Sequence, residues 1–126
     1  MINPYQEMFD KIKEVSESLG FDTYDYLPDE FTKYPFIFVG EMFQNDELTK
    51  TKNRGQLNIL LHVFDHHDRR KQAQEMLNKL FAEVSYIGKT EHFKWHEKQS
   101  EIHIMFDNSD STPLVHGVLD MVLEFA

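Results

Sequence analysis

The chain has 126 residues, the size of one domain, with no cysteine and a formal net charge of −9. The absence of thiols excludes disulfides and thiolate metal sites. The acidic balance argues against gripping nucleic acid or an anionic membrane, since both call for a positive footprint. Eleven Phe, five Tyr and one Trp supply bulk for a core. No apolar run approaches the ~18 residues of a membrane span. The start, Met1-Ile2-Asn3-Pro4-Tyr5, lacks the basic-then-apolar order of a signal peptide.

Asn3 to Leu19 reads as a helix. Asn3 suits the N-cap, Pro4 the first helical position and Gln6 a capping-box partner. Tyr5, Met8, Phe9, Ile12, Val15 and Leu19 form one apolar stripe, and Gly20 is placed to end the helix in a left-handed conformation. Phe21 to Leu27, closed by Pro28, reads as a strand. Pro35 then opens a strand running to Phe43, and Gly55 to Asp65 forms another. Phe36 and Phe38 point to one side, Ile37 and Val39 to the other. Leu57, Ile59, Leu61 and Val63 share one face, and Asn58, Leu60, His62 and Phe64 share the opposite one. Strands apolar on both sides need two covers. The helices supply one. The other is a second sheet or another copy of the chain.

Between these strands, Gln44 to Arg54 is polar apart from Leu48 and long for a hairpin loop, so part of it is open to extending the strands. Its Lys50, Lys52 and Arg54 make a positive tip and are candidate partner or oligomer contacts. Asp65 to Val84 reads as the second helix, with Asp65 as N-cap and Ala73, Met76, Leu77, Leu80, Phe81 and Val84 inward. Arg69, Arg70 and Lys71 in its first turns oppose the helix dipole. Nearby acids offset them, or the cluster meets an acidic partner, which makes these three candidate contacts as well. Glu91 to Gln99 and Glu101 to Phe106 alternate as two strands. Leu114 to Phe125 is a last strand whose second face carries His116, Asp120 and Glu124. The expected fold is a single α+β domain with a mainly antiparallel sheet and two helices, in the order α-β-β-β-α-β-β-β.

No spacing points to catalysis. The seven histidines contain no H-E-x-x-H, and His66-His67 are adjacent residues that seldom converge on one metal. There is no nucleophile elbow and no glycine-rich phosphate loop. The residues therefore point to a protein without catalytic, cofactor or metal residues. The competing classes are a monomeric binding module and a small metal-dependent enzyme.

Certain stretches carry a resemblance. They are Tyr24-Asp25-Tyr26-Leu27-Pro28, Tyr34-Pro35-Phe36-Ile37-Phe38-Val39-Gly40-Glu41, the strand Leu57 to Phe64, the helix from near Arg69 to near Val84, and His116-Gly117-Val118-Leu119-Asp120. In that order they resemble the tail-completion or tail-terminator family of long-tailed bacteriophages, also described as minor capsid or head–tail joining components. The chain departs from the pattern at Phe64-Asp65-His66-His67. The resemblance implies a structural protein of the virion tail, assembled in the host cytoplasm. Such a protein forms a ring, usually hexameric, on the head-proximal end of the tail tube. Its implied partners are further copies of itself, the tail tube protein and the head connector. DNA passes through the lumen without specific binding, and no membrane is involved.

Overall fold

The structure is a computed structural model and describes residues 2–48, 53–108 and 112–126. The first helix, α1 (Pro4–Ser18), forms where the periodicity predicts it. Asn3 Oδ1 accepts from the N–H groups of Tyr5 at 3.0 Å and Gln6 at 3.2 Å. Gln6 does not complete a capping box, because its Nε2 donates to Asp10 Oδ1 at 2.7 Å instead. At the other end Gly20 takes φ +87°. Its N–H reaches Glu17 O at 2.9 Å, and the Phe21 N–H reaches Ser16 O at 3.3 Å. That pair of bonds is a Schellman ending, which glycine enters without a Cβ clash.

The remaining elements are β1 (Thr23–Tyr24), β2 (Phe36–Leu48), β3 (Asn53–His66), α2 (Arg70–Ser85), β4 (Trp95–Asp107) and β5 (Leu114–Phe125). They build a five-stranded sheet in the order β1-β2-β3-β5-β4. Every neighbouring pair is antiparallel except β1–β2. The fold is α+β, with both helices on one face.

Three details differ from the sequence reading, and a strand extension it left open is realised. The strand expected over Phe21 to Leu27 shrinks to two residues, paired parallel to β2 at Thr23↔Ile37 and Tyr24↔Phe38. The two strands expected between Glu91 and Phe106 are one, β4, whose register shifts between Glu97 and Gln99. A bulge inserts one residue and reverses the alternation, so Trp95 and Ile102 reach the same face from odd and even positions. Most of the polar stretch Gln44 to Arg54 is ladder: Gln44↔Leu57, Asn45↔Gln56, Asp46↔Gly55, Glu47↔Arg54 and Leu48↔Asn53 all pair. Backbone pairing needs no apolar side chain, so the hairpin runs on beyond the core. Lys50 and Lys52 lie outside the described residues. Finally, Asp65 is not the N-cap of α2. It stays in β3 opposite Val115, fully buried, and its Oδ1 accepts from the His66 N–H at 2.8 Å.

The core sits between the helices and one face of the sheet. Met8 and Ile12 of α1 and Leu77 and Leu80 of α2 are buried in one cluster with Ile37, Val39, Leu57, Ile59, Leu61, Val63, Leu119 and Met121. Gly117 lies under α2. A Cβ there would come within 2.7 Å of Leu77 Cδ1 and 2.8 Å of Val63 Cγ1, so the missing side chain sets how closely helix and sheet approach. At the far end Phe125 meets Tyr5 edge-on at 5.4 Å and Phe93 at 5.2 Å. The Tyr5 hydroxyl donates to Asp46 of β2, and burial together with that carboxylate raises its pKa well above the usual range. Glu7 accepts from both the N–H and the Nδ1 of His92, tying α1 to the connection before β4.

Candidate functional site: the open sheet face

Neither helix packs on the second face of the sheet, although Tyr24 and Tyr34 lie against Phe36 there, and Phe36, His62 and Val118 are buried. The alternation puts Phe36, Phe38 and Phe43 of β2 on it, with Asn58, Leu60, His62 and Phe64 of β3. β5 contributes His116, Val118, Asp120, Val122 and Glu124, and β4 contributes Met105. Phe43 is 60% exposed and Met105 44%. Rings line up across the strands: Phe36 stacks on Phe64 at 5.3 Å, Phe64 on His116 at 4.3 Å, His116 on His62 at 5.0 Å and His62 on Phe38 at 5.4 Å. Cross-strand aromatic pairs of this kind stabilise a sheet face.

Within this row lies a hydrogen-bonded chain. Glu41 Oε1 meets His62 Nε2 at 2.6 Å, and His62 Nδ1 meets His116 Nε2 at 2.8 Å. Burial works to raise the Glu41 pKa, but the Glu41 backbone N–H and the His62 ring outweigh it and hold the carboxyl below its usual range. An ionised carboxylate can only accept, so His62 donates through Nε2. In the neutral pair His62 Nδ1 then accepts, and His116 donates through its own Nε2. Burial, followed by the neighbouring His62 ring, pushes the His116 pKa down.

The sequence places each partner for a local reason. The β2 register shifts between Val39 and Met42, so Gly40 and Glu41 form the bulge that turns the carboxylate toward His62. A Cβ on Gly40 would stand 2.9 Å from His62 Cδ2, so the glycine makes room for the ring. His116 reaches the open face because it precedes Gly117, which faces α2. The Gly40-Glu41 and His116-Gly117 pairs, far apart in the chain, thus meet at one place. Toward the C-terminal end the face turns polar. Asn58 Nδ2 donates to Asp120 Oδ1 at 2.6 Å, while Lys98 at 3.2 Å and His96 at 2.8 Å hold Glu124. The Lys98 and His96 contacts keep the Glu124 carboxyl below its ordinary pKa.

No family model matches the sequence, and no curated protein matches it. The solved structures do contain a similar chain. A chain of the virion of a native gene transfer agent (GTA) particle superposes with a TM-score of 0.55 at 11% identity, covering 92% of this chain and 91% of that one. The likeness is one of fold. It spans both chains almost end to end, so the whole α+β unit is shared rather than a fragment of it.

Of the described residues singled out from the sequence, Arg54 lies toward the outer end of β3, opposite Glu47, on the same face as Asn58 and His62 and near Gln56, His96, Lys98 and Glu124. Arg69, Arg70 and Lys71 are exposed at the start of α2, away from the histidine pair. Arg69 is the N-cap without a side-chain cap bond, no acid stands in the first turn, and Arg69 Nη1 donates to Gln72 Oε1 at 2.9 Å. Changing Arg70 and Lys71 together to Glu is therefore expected to stabilise the fold by about 1 kcal/mol at low ionic strength, an effect that salt should shrink. Urea melts at low and high salt check this, and an unchanged midpoint at low salt would contradict it. Among the described residues no group of three or more His, Asp or Glu is placed to hold a metal ion. No helix of the described residues is long and apolar enough to cross a membrane. The sequence reading put His62 and His116 on second faces of their strands but did not bring them together. The missing information was the register Phe64↔His116 and His62↔Val118.

Proposed function

We propose that the chain is a structural virion protein that assembles into a ring, in the manner of the tail terminators it resembles. The ring caps the head-proximal end of a phage tail tube and joins it to the head. The observation that carries this reading is the second face of the sheet, which neither helix covers and which carries a row of rings across β2, β3 and β5 with Phe43 and Met105 exposed beside it. Exposed apolar side chains beside such a row mark a contact site.

A neighbouring copy is the occupant proposed, because the chain also offers unlike surfaces to meet that face. The β1–β2 connection exposes Tyr26 at 61%, Leu27 at 64% and Phe31 at 85%. The start of α2 presents Arg69, Arg70 and Lys71, while the open face carries Glu41, Asp120 and Glu124. Unlike, complementary surfaces make head-to-tail contacts, which close into rings when the rotation permits. The likeness in fold to a chain of a virion supports the same reading. A net charge of −9 suits a lumen through which DNA slides without sticking. In this reading the protein has no catalytic role.

Light scattering and electron microscopy across concentration, with and without purified tail tubes, test the proposal. Rings, or caps on tube ends, are the expected result. A particle that stays monomeric to millimolar concentration and leaves added tubes uncapped would favour a monomeric binding module.

A further inference from the structure

The open face carries ionisable groups where an assembly face needs only apolar ones. We propose that Glu41, His62 and His116 form a proton-sensitive latch on this face, holding it competent for assembly while the two rings share a single bridging proton and releasing it when both rings are charged. The latch rests on the reading of this face as a contact between copies, and it adds how that contact is regulated.

The bond geometry defines the states. With Nδ1 of His62 and Nε2 of His116 at 2.8 Å, only one proton fits between the rings. In the neutral pair His116 supplies it. The first added proton is also accommodated: His62 becomes a cation beside the Glu41 carboxylate, its Nδ1–H now donates, and His116 shifts to the tautomer whose Nε2 accepts. The second added proton has no such place. It sets one N–H against another across the same gap and puts two cations in rings stacked 5.0 Å apart. The pair must then separate, and separation breaks the row that joins Phe38 to Phe36 through His62, His116 and Phe64. A charged ring on an apolar face is also costly to cover with a neighbour.

The surroundings resist a charge on His116. From β2 only Glu41 faces the pair, and it bonds His62 rather than His116. From β4, Asp107 favours a charge on His116, while His103 is held by Glu101 at 3.1 Å. On β5 itself Asp120 bonds Asn58, and on β3 His66 lies against Tyr34. Burial and His62 outweigh the Asp107 and Glu41 charges, so the His116 pKa stays below the ordinary histidine value. The unfolded chain therefore takes up this proton before the folded one as pH falls. The pair's contribution is complete above the histidine range and is lost as pH drops through it. Glu41, also depressed, loses its contribution in the same direction at lower pH.

Two measurements on the full chain test the latch. Nitrogen NMR of the imidazoles at neutral pH should find His62 protonated at Nε2 and bare at Nδ1, with His116 protonated at Nε2. The opposite tautomer on His62 would overturn the proposal without reference to assembly. Solution mass against pH should then show the assembly constant falling as pH drops through the histidine range, by up to about tenfold per pH unit for one proton taken up per interface. His116→Gln, whose amide can still donate to His62 but neither stacks nor titrates, should assemble more weakly than the parent, with a constant that does not change with pH through that range. Parallel melts confirm that the variant folds. An assembly that ignores pH, or a His116→Gln variant that dissociates in step with the parent, overturns the latch alone. A chain that is monomeric at every pH overturns the assembly reading and the gating with it.

Discussion

Leu77→Ala is expected to lower the unfolding free energy by about 2–5 kcal/mol, the range for a leucine deleted from a tight core. Leu77 is fully buried on the inner face of α2, and its Cδ1 rests where a side chain on Gly117 would project. The same geometry makes the reverse change harmful. Gly117→Ala forces a Cβ within 2.7 Å of Leu77 Cδ1, 2.8 Å of Val63 Cγ1 and 3.1 Å of Ile104 Cδ1. Overpacking of this kind costs about 1–3 kcal/mol. The two changes are coupled. With Leu77 truncated, the closest of the three contacts is gone, and the alanine at 117 fills part of the space left. The double variant should then be more stable than the two single losses predict, by about 0.5–3 kcal/mol. Urea melts of the four proteins measure this. Strict additivity would mean that α2 and β5 are held apart by something other than this contact.

The second large effect belongs to the open face. Phe64→Arg puts a cation between Phe36 and His116, at the centre of the stacked row. Phe64 is only half-buried, so melts should change little, by roughly 1 kcal/mol. Self-association should weaken by at least about a hundredfold, about 2.7 kcal/mol, because a cation would have to be buried without a partner at the middle of the contact. Sedimentation of parent and variant at matched concentration gives the answer. Equal association would remove this face from the assembly surface. A variant that unfolds would mean that the row is part of the core.

The outcomes at individual residues explain what could be read early. Asn3, Pro4 and Gly20 act within one turn of their own position, so the bounds of α1 were legible from sequence alone. Period-two alternation over Leu57 to Phe64 likewise assigned the side chains of that stretch of β3 to a face before any neighbour was known. The bulges at Gly40-Glu41 and in β4 were not legible. A bulge changes parity in the middle of a strand, and only the partner strand reveals it. Asp65 illustrates the same limit. As a sequence signal it is a good N-cap, but pairing with Val115 holds it in the sheet and passes the helix start to Arg69.

The sequence by itself therefore determined the element types, the apolar stripes, the apolar character of both faces of the central strands and the absence of a catalytic motif. Those properties depend on periodicity and on residues a few positions apart. The tertiary structure decided which face stays open and which side chains meet on it. Glu41, His62 and His116 come from three strands, and their distances are fixed by register, by a bulge and by two glycines that admit a ring on one face and a helix on the other. Register is a cooperative property of the whole sheet, so no local stretch of the chain encodes it alone.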